Sequence, residues 1–196
     1  MRLNSRASAV AIAVAVAGLA AISGLAHAAS NVGSNTASAS LDFQVNIPGI
    51  VFLQVGTGAF RQDVTTVDTL IFSPTAAEIL GGQPVAGTGG DLAGGRVTVR
   101  VWGNAGPLTL ASTASALTNG NENIPWTQIG VTASSTGLPH PAFDADGNMS
   151  AQLATLGGGN SPITNLSGDW TYSYVNGIEP RRGLYTGTVT YTVSAP

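Results

Sequence analysis

Between residues 185 and 194 the chain alternates without a break: Tyr185, Gly187, Val189, Tyr191 and Val193 share one parity, and Thr186, Thr188, Thr190, Thr192 and Ser194 the other. Successive side chains of a strand point to opposite faces, so a run of this length specifies a strand with one buried and one wetted side and excludes a helix of period 3.6. The same period governs 96–102, where Val97, Val99 and Val101 point one way, and 169–175, where Trp170, Tyr172 and Tyr174 do. It also governs 37–47, with Ala37, Ala39, Leu41, Phe43, Val45 and Ile47 set against Ser38, Ser40, Asp42, Gln44 and Asn46. Pro48-Gly49 is expected to close this first strand with a turn.

Further strands are expected at 50–55, 63–72, 107–112 and 127–134, the third of these pairing with 96–102 as a hairpin across Gly103-Asn104-Ala105-Gly106. One short helix is expected at 75–80, behind Ser73-Pro74. The stretch 81–95 holds seven glycines and reads as a long loop, as do 139–148 and 157–162. About eight or nine short strands joined by turns, with at most one short helix, predict an all-β fold, a single antiparallel β-sandwich. No fixed-period repeat suggests a solenoid or propeller.

The N-terminus supplies an address. Arg2 and Arg6, an apolar run over 9–25 and the small-x-small ending Ala26-His27-Ala28 read as a secretory signal peptide over 1–28, cleaved before Ala29. The expected organisation is a flexible leader over 29–40 and one sandwich domain over 41–196, exported to the periplasm, cell surface or extracellular space. No membrane-spanning segment is expected after cleavage.

Composition removes several classes of function. The full chain carries seven Lys plus Arg, all of them Arg, against ten Asp plus Glu. With no lysine and only scattered arginine, it is not expected to bind nucleic acid, which requires clustered cations that displace counterions. Absence of cysteine excludes thiol catalysis, cysteine-ligated metals and disulfides, so stability must come from the core.

The closing residues Gly183-Leu184-Tyr185-Thr186-Gly187-Thr188-Val189-Thr190-Tyr191-Thr192-Val193-Ser194-Ala195-Pro196 resemble the last strand of bacterial surface β-sandwiches, both spore-coat-U-type pilin subunits and WxL cell-surface domains. The chain departs from both: Tyr191 and Val193 stand where a WxL domain has tryptophan and leucine, and the cysteines usual in spore-coat-U-like pilins are missing. The pilin resemblance implies polymerisation by strand exchange, in which an extended N-terminal segment completes a neighbour's sandwich. The segment 37–47 has the alternation this requires, but the reading preferred from the sequence is the first strand of its own sandwich, since most segments of this period pair within their own domain.

Candidate sites are few. Asp144, Asp146 and Asn148 place oxygen donors at alternate positions of one turn, a pattern that can converge on Ca²⁺, although Met149 replaces the EF-hand turn glycine and Thr155 its bidentate glutamate; a plain reverse turn accounts for the same residues. Trp170, Tyr172 and Tyr174 on one strand face could stack sugar rings or fill the core. His140 has no nucleophile elbow to serve, and no catalytic constellation assembles from the sequence. The expectation is a non-enzymatic structural or interaction protein without a cofactor, self-assembling or docking on another surface protein. The alternative is a module that binds polysaccharide or cell wall.

Overall fold

The computed structural model describes residues 30–153 and 163–195. It divides into two units, 1–47 and 48–196. In the first, residues 30–47 form neither strand nor helix, and every one of them is exposed. The strand expected at 37–47 is therefore not formed, and Leu41, Phe43, Val45 and Ile47 are 60%, 86%, 81% and 74% exposed. Alternation prepares a segment's two faces, but a strand also needs a neighbour for its backbone groups.

The second unit is an antiparallel β-sandwich. Its strands are β1 (Val51–Val55), β2 (Leu70–Ile71), β3 (Val85–Ala86), β4 (Thr88–Gly89), β5 (Arg96–Gly103), β6 (Leu108–Ala114), β7 (Leu117–Thr118), β8 (Asn123–Ile124), β9 (Ile129–Ala133), β10 (Met149–Leu153), β11 (Thr164–Tyr174) and β12 (Val189–Ser194). One sheet runs β1-β5-β11-β3, with β9 on the far side of β11; the other runs β10-β6-β12, and β2-β4 and β7-β8 are small separate pairs. The longest register joins Thr164 to Gly103 and Thr171 to Arg96, so Leu166 and Trp170 share an inward face with Val101 and Val97. Opposite them lie Leu108 and Leu110 of β6 and Met149 and Leu153 of β10, all buried.

Several expectations are corrected. β5 and β6 do not form a hairpin, because they belong to different sheets and 104–107 crosses between the layers. Two strands that each carry a strong apolar face bury more of it face to face than side by side. The expected strand at 63–72 reduces to β2, with Asp68 turned back to accept hydrogen bonds from the amide and hydroxyl of Thr57. The glycine-rich 81–95 holds β3 and β4, and β10 lies just beyond the expected 139–148 loop. The expected loop at 157–162 lies outside the described residues. The turn expected at Pro48-Gly49 is not formed. Instead Asn104 holds this stretch, accepting from the Ile50 amide at 2.7 Å and donating to the Pro48 carbonyl at 2.9 Å.

The helix α1 (Ala76–Gly81) forms where expected, because Thr75 and Glu78 make a reciprocal capping box and Gly82 ends it in the left-handed conformation. Gly147 is equally constrained, at φ +85° and with space for a Cβ only 2.5 Å from that of Ala114 and 2.8 Å from the Trp126 ring. Gly147→Ala is therefore expected to lower stability by about 2 kcal/mol, from backbone strain and overpacking together, read as the shift of a urea unfolding midpoint at unchanged slope.

Candidate functional site

The sequence-derived candidates separate once their surroundings are visible. Trp170, Tyr172 and Tyr174 are 1%, 6% and 6% exposed, so they are core residues and present no ring face to a sugar. This corrects the stacking-platform alternative: the inward parity of β11 faces the second sheet, where large rings fill the space between layers. Asp144 closes its own turn, its Oδ1 accepting from the amides of Asp146 at 2.9 Å and Asn148 at 2.8 Å, and its Oδ2 from the Asn148 side-chain amide at 3.3 Å. The hydrogen bond from the Asn148 amide is the main cause holding its carboxyl below the usual aspartate value. Two of the three expected calcium ligands are thus already bonded to each other, as in an ordinary Asx turn. Asp146 sits at the rim of a shallow hollow of about 380 Å³ lined also by Leu117, Ile124 and Trp126.

His140 is not a loop residue in the ordinary sense. It is 8% exposed and lies edge-on to Trp170, Phe143, Tyr172 and Tyr191, with ring centroids 4.6–5.7 Å away. Its Nδ1 is 2.8 Å from the Pro141 carbonyl, which can only accept, so the proton sits on Nδ1. Nε2 then accepts from Tyr191 Oη at 3.0 Å, and Tyr191 accepts from Tyr172 Oη at 2.8 Å. Burial pushes the imidazole down to about 4 and the two phenols upward. A neutral, fully bonded histidine of this kind holds the 138–143 segment against β11 and β12.

The feature left unsatisfied is one seam of the sandwich. Core-facing residues of the central strands are closed off, with Val97, Val99 and Val101 at most 4% exposed and Leu108 and Leu110 at 0%. The edge at β10 is closed too, at Met149 and Leu153, 7% and 1% exposed. At the opposite end, β1 and β12 are edge strands with one ladder each, and they approach one another across the layers. There the core-facing Leu53, Val55, Val189, Tyr191 and Val193 are only half-buried, and Val51 is 38% exposed. A groove of about 230 Å³ follows all five residues of β1 and is walled by residues of 57–64.

The outer wall of that groove is pinned by aromatic contacts. Phe60 meets Phe52 edge-on at 5.4 Å, and the Arg61 guanidinium stacks 4.1 Å from the Trp102 ring, with Arg61 itself at φ +60°. The sequence carries no signal for these pairings, since Phe60 and Arg61 lie in a stretch without period. Comparison with family models, curated proteins and solved structures finds no match to this chain. Among the described residues no helix is long and apolar enough to cross a membrane.

Proposed function

We propose that this chain is an exported, non-enzymatic structural subunit that assembles with copies of itself by strand addition, residues 37–47 of one copy filling the seam between β1 and β12 of the next. The observation that carries this reading is a complementary pair of defects. One is a sandwich seam whose core-facing side chains are only partly buried, and the other is a segment without secondary structure whose Leu41, Phe43, Val45 and Ile47 are 60–86% exposed. Strand addition supplies backbone hydrogen bonds from the sheet edge and pockets for alternate side chains, so it would satisfy both at once. Export rests on the signal-like 1–28, which lies outside the described residues.

Size-exclusion chromatography with light scattering, followed by electron microscopy, tests the proposal on the full chain. The wild type is expected to form concentration-dependent oligomers or filaments, and Phe43→Asp to remain monomeric with an unchanged melting temperature, because Phe43 is 86% exposed and outside the core. A wild type that stays monomeric at millimolar concentration would reject self-assembly. Oligomers that persist in Phe43→Asp and in Val45→Asp would reject this segment as the inserted strand.

A further inference from the structure

Among the described residues two buried side-chain polar atoms have no hydrogen-bond partner, Tyr174 Oη and Gln54 Oε1. Gln54 is the fourth of the five residues of β1, only 8% exposed, and it lines the groove that follows this strand. Its orientation is forced, because Nε2 donates to the carbonyls of Gly56 at 2.9 Å and Gly58 at 3.1 Å; a flipped amide would set oxygen against both. Oε1 is left as a buried acceptor with nothing to accept. Buried acceptors are rarely left so, and the deficit is removed by any binding partner that brings a donor.

The pairing of β1 with β5 fixes which face Gln54 occupies. Leu53 and Val55 are opposite Val101 and Val99 and so face the core, whereas Gln54 is opposite Arg100 and faces outward. A strand added to the free edge of β1 with Leu41, Phe43, Val45 and Ile47 turned to the core sets its other parity on the outward face, beside Gln54. That parity carries Ser40, Asp42, Gln44 and Asn46, two of which end in amide donors.

We infer that Gln54 sets the register of the incoming strand, its Oε1 accepting a hydrogen bond from the side-chain amide of Gln44 or Asn46 of a second copy added along β1. The inference rests on the strand-addition reading and refines it in two ways. The free edge of β1, not that of β12, carries the new ladder. A polar contact also selects among registers that the apolar face alone would allow in steps of two residues. A slip by two leaves the core face apolar; in one direction it sets Asp42 or Pro48, neither with a side-chain amide, beside Gln54, and in the other it exchanges Gln44 and Asn46, whose amides differ in reach.

The test is a double-mutant cycle, with a fluorescein-labelled peptide of residues 37–47 titrated into dilute full-length chain and followed by anisotropy. The wild-type peptide is expected to bind, and Gln54→Met to weaken it about tenfold. One of the peptide variants Gln44→Ala and Asn46→Ala is expected to show the same loss against wild-type chain and little further loss against Gln54→Met. Wild-type peptide that binds equally well to Gln54→Met, or peptide variants that both bind like wild type, would overturn the register role while leaving strand addition standing. A wild-type peptide that does not bind at all would overturn both. Circular dichroism and a thermal melt of Gln54→Met identify a loss caused by misfolding. In that case Gln54→Asn, which keeps the amide but shortens its reach, replaces it, and unchanged binding by that variant would also overturn the register role.

Discussion

Trp170→Ala is expected to lower the stability of the sandwich by about 4 kcal/mol, the usual cost of emptying a fully buried large aromatic site. The ring is 1% exposed, its Nε1 donates to the Leu138 carbonyl at 3.2 Å, and it packs against His140 at 4.6 Å and Tyr191 at 5.2 Å. Truncation leaves a cavity between β11 and β12 and also strips the Leu138 carbonyl of its partner, so the 138–143 segment loses one of its anchors. Against a total of roughly 5–15 kcal/mol for a domain, this is a large fraction, and a drop of about 10 °C in melting temperature should accompany it. Trp102→Ala is the control. Trp102 lies on the outer face under Arg61 and is only half-buried, so its loss should cost appreciably less. A Trp170→Ala protein within about 1 kcal/mol of wild type would contradict its placement in the core.

That Trp170, Tyr172 and Tyr174 share a face was legible from the period alone, but whether the face looked in or out was not. The answer depends on the second sheet, whose β6 and β10 meet that face with Leu108, Leu110 and Leu153. The same limit applies more sharply to 37–47 and 189–194. Both alternate cleanly, yet one is paired with β6 and the other has no ladder, because side-chain period specifies faces and says nothing of partners. Gln54 was hidden for a different reason. Val51-Phe52-Leu53-Gln54-Val55 is nearly continuous in apolar residues, so period does not separate its faces, and its outer cover proves to be 57–64, a stretch with no period of its own. The seam was illegible because it is a deficit, visible only when the burial of equivalent core-facing positions on each strand is compared.

Acid should weaken this fold through a single buried group before its carboxylates titrate. His140 has a value of about 4 in the folded protein against an ordinary 6.5, with burial as the main cause. Above pH 6.5 the ring is neutral in both states and contributes no pH dependence. Between pH 6.5 and 4 the unfolded chain takes up a proton that the folded chain refuses, so stability falls as pH falls. Below pH 4 both states are charged and the loss is complete, at about 3 kcal/mol. About 2 kcal/mol of it lies between pH 6.5 and 5, where few carboxylates protonate. The hydrogen-bond chain itself can adapt, since a charged ring could donate from Nε2 to Tyr191 and Tyr191 could then donate to Tyr172. What opposes protonation is the removal of the cation from water into a ring-lined pocket. Urea unfolding of wild type and His140→Gln at pH 7 and pH 5 isolates this contribution. His140→Gln should be less stable than wild type at pH 7, because it gives up the four ring contacts, and its stability should change far less between the two pH values. Equal slopes with pH in the two proteins would mean that His140 is accessible to protons in the folded state and is not the neutral link between the 138–143 segment and β12.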